Sequence, residues 1–559
     1  MDRLSYELGL TRDILENTNL SIWDMFRRST HRYPDRPAVR MGTRVWMYAE
    51  LLDRALRSAA ALQRLGVTKG TRVGLLFHSC PEWAVLHYAL ARLGAVAVPI
   101  NLAFQSHELR HVLGVAEPEL VIGVTSFRGA DFAGRLRAVD AAMVDGATEV
   151  PSLPSVRWVG LLPLDDAERL VAGHPSVDAV FGSAGTAGVP EPGVADPWDP
   201  AYIVFTSGST AFPKPALIAH RAFLGAATGF VHALDMRPDD GFLAMLPTFH
   251  VGGVTCVLSA PHLSGGCADL MGAFEAVLAL RTIEQCRSTV TVGFDTMYTK
   301  MTGAAEFATT DVSSLRKSLL ACTPSYIDKL REVWEFDLFA TSYGSTESGT
   351  LAAITPRWVD DYATRSRTNG QPLPGVEFRI VDPETGDPLP AGELGEICFR
   401  GWCRVLEYVD MPEENAATID DGFFRSGDYG LIDADGYLHF RGRYKQMVKT
   451  GGENVSEREV EVFLEEYLDD VDFAQVVGVP DPVWGEAVVA FVTMAEGSEC
   501  DSDRLRRLCK GAIAGYKIPK LFIGMRAEDF PVLANGRPDK SALRRLAREH
   551  HEGASAHAN

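Results

Sequence analysis

Between residues 49 and 65 the apolar positions recur at helical spacing, with Leu52, Leu56, Ala59, Ala60 and Leu62 roughly on one face and Gly66 closing the run. The pattern predicts a helix. Residues 73–77 (Val-Gly-Leu-Leu-Phe) form a short apolar run of strand length. Residues 82–93 read as a second helix and 95–99 as a second strand. This alternation, from Ser21 to about Thr125, predicts α/β layers around a mostly parallel sheet. A second α/β stretch runs from residue 201 to about 345. Residues 182–200 between them are rich in Gly, Pro and Ala and read as a loop.

The pattern changes after residue 370. Pro372, Pro374, Gly375, Gly386, Pro388, Gly392, Gly395 and Gly401 punctuate short strand-like runs at 378–381 and 396–400, which predicts a β-rich subdomain. After Arg441 a compact unit begins. Ser456 and Glu459 have the spacing of a capping box, and Val460, Phe463, Leu464, Tyr467 and Leu468 follow at helical spacing. Two strands at 473–479 and 487–494 and a helix at 502–514 complete it. The polar tail from residue 550 to 559 reads as disordered. The predicted fold class is α/β. A large N-terminal domain (1–443) has layered sheets and a β-rich subdomain, and a small mobile α+β domain (444–559) follows, with the boundary near Arg443 to Gln446.

Composition narrows the function classes. The chain has 559 residues, 46% hydrophobic and 23% charged, within the range of a globular protein of several domains. A net charge of −20 argues against nucleic acid or an anionic membrane as partner. Nine cysteines with no Cys-x-x-Cys pair argue against a metal site or disulfide framework and for reduced thiols in the cytoplasm. The N-terminus has no signal-peptide core, and the most apolar stretches, such as 93–102, are too short to span a bilayer.

The chemistry is concentrated in a few segments. Thr206-Ser207-Gly208-Ser209-Thr210-Ala211-Phe212-Pro213-Lys214 follows the apolar run 201–205. Hydroxyls and backbone N–H groups there can face phosphate oxygens, Gly208 permits close approach, and Lys214 adds charge. The spacing is not that of a Walker loop. Downstream lie Leu246-Pro-Thr-Phe-His250, Ala321-Cys322-Thr-Pro, Ser342-Tyr343-Gly344-Ser-Thr346-Glu347, Phe424-Arg-Ser-Gly-Asp428 and the glycine-rich segment 441–454. A tyrosine ring can stack on adenine, a threonine hydroxyl can bind a phosphate, a glutamate can hold magnesium, and an aspartate can accept both ribose hydroxyls.

Together these segments resemble the adenylate-forming superfamily of acyl-CoA ligases, luciferases and peptide-synthetase adenylation domains, and the acyl-CoA ligase branch in particular. The resemblance covers nearly the whole chain. It implies a carboxylate attacking ATP to give acyl-AMP, rotation of the C-terminal domain, and displacement of AMP by CoA, with magnesium at Glu347. It places the nucleotide at Thr206, Ser207, Gly208, Ser209, Thr210, Lys214, Tyr343, Gly344, Thr346, Glu347, Asp428 and Arg443. It places the hinge at Lys445 and the pantetheine tunnel at Gly451 and Gly452. The acyl pocket falls at His250, Gly293, Phe294, Met297 and Cys322, suited to a bulky apolar acid.

Departures from the family pattern sharpen the expectation. Arg537 stands where the family has the lysine that bridges carboxylate and α-phosphate during adenylation; Lys540, three residues later, matches a merely basic position. Ala211 and Pro215 depart in the phosphate loop. Arginine and lysine are not interchangeable where a compact charge must sit between two anions. These departures resemble those of non-adenylating acyl-CoA ligases of diterpenoid antibiotic (platensimycin and platencin) biosynthesis. They imply an enzyme that takes acyl-AMP, made by a separate adenylating enzyme, and transfers the acyl group to CoA. The alternatives are a complete ATP-dependent ligase using Arg537 and a non-catalytic adenylate-binding protein.

Overall fold

The structure is a computed structural model of the 559-residue chain. It describes all residues except 1–2, 145, 166–168, 183–194, 207–212, 360, 444–446, 451–452, 482–483, 511, 514, 535 and 558–559, and except the side chains of 449, 453, 454 and 552–557.

Two seven-stranded sheets build the large domain. One runs in the order Leu338–Ala340, Lys317–Ala321, Val290–Phe294, Gly241–Leu243, Cys267–Asp269, Pro37–Met41, Arg44–Met47, parallel except for its last pair. The other runs Glu407–Tyr408, Lys214–Ala219, Pro200–Thr206, Val96–Pro99, Arg72–Leu76, Leu120–Val124, Trp158–Leu162. It is parallel except where Lys214–Ala219 meets its neighbours. Helix Tyr48–Arg64 buries Leu51, Ala55, Ala59 and Leu62 against helix Pro81–Leu93, which Gly94 ends with φ +64°. Parallel strands covered on both faces read as unbroken apolar runs, which is why this half was legible as α/β.

A five-stranded antiparallel sheet (Val376–Val381, Gly395–Gly401, Phe423–Ile432, Ile419–Asp420, Leu438–Arg443) is the β-rich subdomain. Beyond it, Met447–Thr450, Glu453–Ser456, Val471–Asp481, Gly485–Met494 and Leu521–Gly524 form a separate sheet with its own core of Val460, Leu464, Val476, Val488 and Leu505. Strand Val471–Asp481 is an edge, and helix Glu457–Tyr467 covers it in an unusual way. Three buried carboxylates at helical spacing accept its outer N–H groups: Glu457 from Gly478 (3.4 Å), Glu461 from Val476 (2.9 Å) and Glu465 from Ala474 (2.8 Å). The ladder satisfies an edge that would otherwise pair with another chain.

Three local expectations need correction. Ser456 caps its helix through Glu459 N–H, but Glu459 turns to Lys517 (2.5 Å) and does not close a box. The helix expected at 502–514 ends at Cys509, where Lys510 bridges to Ile513. The tail is helical over Lys540–His557. Asp539 accepts the N–H groups of Ser541 and Ala542 at 3.0 Å each, Leu543 and Ala547 are buried, and His551 meets Asp481 at 2.9 Å. Capping and packing tie down a segment whose polar composition alone reads as loose. All nine cysteines are free thiols, and among the described residues no helix is long and apolar enough to cross a membrane.

Candidate active site

The strand Pro200–Thr206 and the strand Lys214–Ala219 form a hairpin in which Thr206 pairs with Lys214. Ser207, Gly208, Ser209 and Thr210, and with them Ala211, lie in the connecting loop, outside the described residues. Thr206 is buried, and the Lys214 ammonium pairs with Glu414 and lies 5.4 Å from the centre of the Tyr408 ring. Tyr408 in turn donates to Glu347 Oε1 at 2.8 Å. Neither Tyr408 nor Glu414 carried a local signal; each arrives from a distant segment through pairing of Glu407–Tyr408 with the hairpin. Pro215 is a buried strand residue opposite Phe205, and its carbonyl accepts from Val409 N–H at 3.0 Å. Its missing N–H therefore belongs to the strand ladder rather than to the phosphate loop, which removes one of the departures expected to weaken pyrophosphate binding.

On the nucleotide side, the antiparallel pairing of Phe423–Ile432 with Leu438–Arg443 sets Asp428 opposite Arg443. Asp428 accepts from Tyr343 Oη at 2.8 Å and from Arg443 Nε at 3.0 Å. Burial pushes the Asp428 carboxyl above its ordinary range, and Arg443 opposes that; the same carboxylate raises the Arg443 guanidinium. Gly344 is required, because a Cβ there would lie 1.7 Å from the Thr350 carbonyl oxygen. It lets the chain turn from strand Ser342–Tyr343 into the helical turn Thr346–Ser348 that carries Thr346 and Glu347. A buried carboxylate with two donors beside an aromatic ring fits a ribose and an adenine. Among the described residues no three His, Cys, Asp or Glu side chains group as a metal site, so a magnesium ion would depend on Glu347 and nucleotide phosphates.

The residues expected to line an acyl pocket gather at the end of strand Val290–Phe294. A Cβ on Gly293 would come within 2.7 Å of the Tyr298 ring and 2.8 Å of Met245 Cε, so only glycine leaves that wall intact. Cys322 Sγ lies 3.9 Å from the Gly293 carbonyl oxygen, and Met297 is buried in the following helix Asp295–Thr302. His250 precedes a buried π-helix, Gly253–Ser259, which Thr255 ties to Thr350 at 2.8 Å and so to the Tyr343–Glu347 turn. Loss of hydration, with the charge of Arg537 adding to it, holds the His250 pKa near 4, so the ring is neutral at pH 7.

Arg537 reaches this wall from the other domain. The turn that carries it closes through Leu533 N–H to the Arg537 carbonyl (2.7 Å), and Thr296 of the large domain donates to the Gly536 carbonyl. Its guanidinium carbon sits 5.1 Å from the centre of the Phe294 ring. The side chain keeps access to the cleft although protein surrounds it, and lost hydration together with Arg443 lowers its pKa. Lys540 is held inside the C-terminal domain by Glu461 and the Val476 carbonyl (2.6 Å) and does not substitute for it. The expected hinge Lys445 and tunnel residues Gly451 and Gly452 lie outside the described residues. Thr296 was not foreseen, since nothing local in the sequence marks a hydroxyl that receives a loop 240 residues away.

Residues 26–409 match the family model of the AMP-binding enzyme, and residues 459–537 that of the AMP-binding enzyme C-terminal domain. Among curated relatives, the feruloyl-CoA synthase of an Amycolatopsis species is 32% identical over 511 residues, covering 90% of this chain and 95% of that protein. The indoleacetate–CoA ligase of Aromatoleum aromaticum is 32% identical over 515 residues, covering 92% and 95%. Among solved structures, ATP-bound MatB from Rhodopseudomonas palustris superposes with a TM-score of 0.78 at 27% identity, covering 95% of this chain and 99% of that one. With one family model spanning most of the large domain and the second falling within the C-terminal unit, the chain belongs to the AMP-binding enzyme family.

Proposed function

We propose that this chain, an acyl-CoA ligase, works chiefly in the thioester half-reaction, with adenylation impaired. The family uses ATP, CoA and magnesium. In the step assigned here the CoA thiolate attacks the acyl-AMP carbonyl, the C–O bond to phosphate breaks, and AMP leaves as acyl-CoA forms. Tyr343, Asp428 and Arg443 hold the nucleoside, and the thiol approaches along Gly451 and Gly452 after rotation about Lys445, with the domain boundary at 443/444.

The observation that carries the reading is Arg537 over Phe294 at the expected acyl wall. A planar guanidinium is poorly shaped to sit between a substrate carboxylate and the α-phosphate, where a compact ammonium fits. The acyl group is bulky and apolar or aromatic, a class supported by the apolar side chains of Phe294 and Met297 and by the names of the similar feruloyl and indoleacetate ligases. The reading includes a separate enzyme supplying acyl-AMP, a cytoplasmic setting without nucleic-acid or membrane partners, and a role in antibiotic biosynthesis. Those rest on the departures and the acidic surface.

A complete ATP-dependent ligase is the second reading, favoured by the docking of the Arg537 turn through Thr296. The experiment compares CoA thioester formation from a panel of synthetic acyl-AMPs with that from the free acids plus ATP. Thioester from acyl-AMP with near-background pyrophosphate release from acid and ATP is expected. Rapid ATP-driven thioester formation from several acids would overturn the restriction and leave the complete ligase.

A further inference from the structure

Glu465 differs from the other two rungs of the carboxylate ladder. Glu457 meets Arg544 at 2.7 Å and Lys540 at 3.6 Å, and Glu461 meets Lys540 and, at 3.7 Å, Arg458. Glu465 has no salt bridge among the described residues. Its second oxygen instead accepts hydroxyls from the large domain, Thr323 Oγ1 at 2.6 Å and Ser325 Oγ at 2.8 Å. Those hydroxyls open helix Pro324–Val333, which Thr323 also caps by accepting from Tyr326 N–H at 3.1 Å. The same helix sends Lys329 to the Val471 carbonyl at 2.7 Å, and Tyr326 meets the Phe473 ring edge-on at 6.2 Å.

This contact is mechanically joined to Arg537 on both sides. In the C-terminal domain, Ala474 holds Glu465 while its neighbour Phe473 packs on Phe530 at 5.1 Å, at the base of the Arg537 turn. In the large domain, Asp295 accepts from Thr323 N–H at 3.2 Å, and the next residue, Thr296, holds the Gly536 carbonyl. Moving the C-terminal domain away therefore breaks the Glu465 and Gly536 contacts together.

We propose that Glu465, with Thr323 and Ser325, is the interdomain latch of the orientation that presents Arg537 to the acyl wall, a positioning residue for adenylation that is released for CoA transfer. The proposal rests on the two-step reading above. Its proton state is part of the device. Glu465 faces Asp295, Cys322 and Tyr326 of the large domain and Arg458 of its own helix, and burial, with Asp295 adding to it, raises its pKa from 4.5 to about 7 in the closed orientation. In an open orientation it regains water. The closed form thus holds the proton to higher pH, so closure is strongest below the open-state pKa and weakens as pH rises through about 7.

The test is the interdomain distance, read by double electron–electron resonance between spin labels on unnatural residues introduced at Glu393 and Glu496, both exposed. Alongside it, ATP–pyrophosphate exchange is compared with CoA transfer from supplied acyl-AMP. Thr323→Ala/Ser325→Ala leaves the C-terminal domain untouched, so it guards against misfolding of Glu465→Ala. Both variants are expected to lower the closing equilibrium about tenfold, the loss of two hydroxyl bonds to a buried carboxylate, and to lower exchange but not CoA transfer. Glu465→Gln, whose amide can meet the same hydroxyls, should stay closed and lose the widening of the parent's distance distribution between pH 6 and 8.5. Distances and half-reaction ratios identical to the parent in both alanine variants would overturn the latch. A shifted distance with an unchanged ratio would support the latch and overturn the role given to Arg537.

Discussion

Replacing Arg537 by lysine should restore part of the adenylation step. The guanidinium gives up two things in that exchange. It loses its stack on Phe294 at 5.1 Å, worth about 0.5–1 kcal/mol, and its fixed plane, and a compact ammonium becomes free to sit between two anions. Complete loss of a preorganised donor to a developing charge costs about 3–4 kcal/mol. Arg537 keeps its charge in the site, so only part of that is recoverable: about 1.4–2.7 kcal/mol, or about 10–100-fold in rate. ATP–pyrophosphate exchange with the cognate acid measures it, with CoA transfer from acyl-AMP as the control for an intact site. Adding Pro215→Gly should contribute nothing further, since Pro215 lies in the strand ladder opposite Phe205. Exchange at background in Arg537→Lys, with CoA transfer intact, would refute the claim that the arginine is what suppresses adenylation.

Asp428→Ala should weaken AMP binding by about 1–3 kcal/mol in calorimetry, through lost bonds to a charged acceptor, while Tyr343→Phe, which removes only a donor to Asp428, should cost less. Equal affinities would mean that the ribose is not at Asp428. Added to Arg537→Lys, Gly536→Ala should cut the regained ATP–pyrophosphate exchange at least about tenfold and spare CoA transfer, because its φ is +82° and a Cβ would lie 2.1 Å from Met297 Cε; an unaltered exchange rate would show that the turn need not dock. Acid should destabilise the large domain: burial holds His87 near 3 and His220 and His262 near 4 in the native state, against 6.5 unfolded. The unfolded chain binds protons first, so stability falls as pH drops through 6.5, by about 1 kcal/mol per histidine between pH 7.5 and 5.5, and a denaturant midpoint unchanged over that interval would contradict the burial of these rings.

The expected site residues that the structure describes in ordered local segments share one property. Thr206, Lys214, Tyr343, Glu347, Asp428 and Arg443 sit in short segments whose backbone course is set locally, by a hairpin, a glycine that admits Thr350, or a strand pair. What stayed hidden arrives by tertiary packing. Glu414 meets Lys214 from 200 residues away, and Thr296 reaches Gly536 across the domain interface. The weight of Pro215 depends on where its missing N–H would point, and the Val409 N–H on the Pro215 carbonyl sets that edge toward the strand Glu407–Tyr408, which the local sequence does not show. The tail was misread from composition, although Asp539 followed by Leu543, Leu546 and Ala547 has the cap and spacing of a helix.

The character of the domain interface bears on how the two half-reactions can share one chain. A domain that must leave and return cannot be held by a large apolar face, whose burial would trap one orientation. Many of the contacts found are polar: Glu465 with two hydroxyls, Lys329 with a backbone carbonyl, Arg367 with Glu466 at 2.8 Å, and Thr296 with the Gly536 carbonyl, beside the edge-on pair of Tyr326 and Phe473 and the approach of Arg537 to Phe294. Each exchanges for water at modest net cost, about 1 kcal/mol per hydrogen bond. Such an interface is close to balance, so small changes at its edges shift the population of orientations.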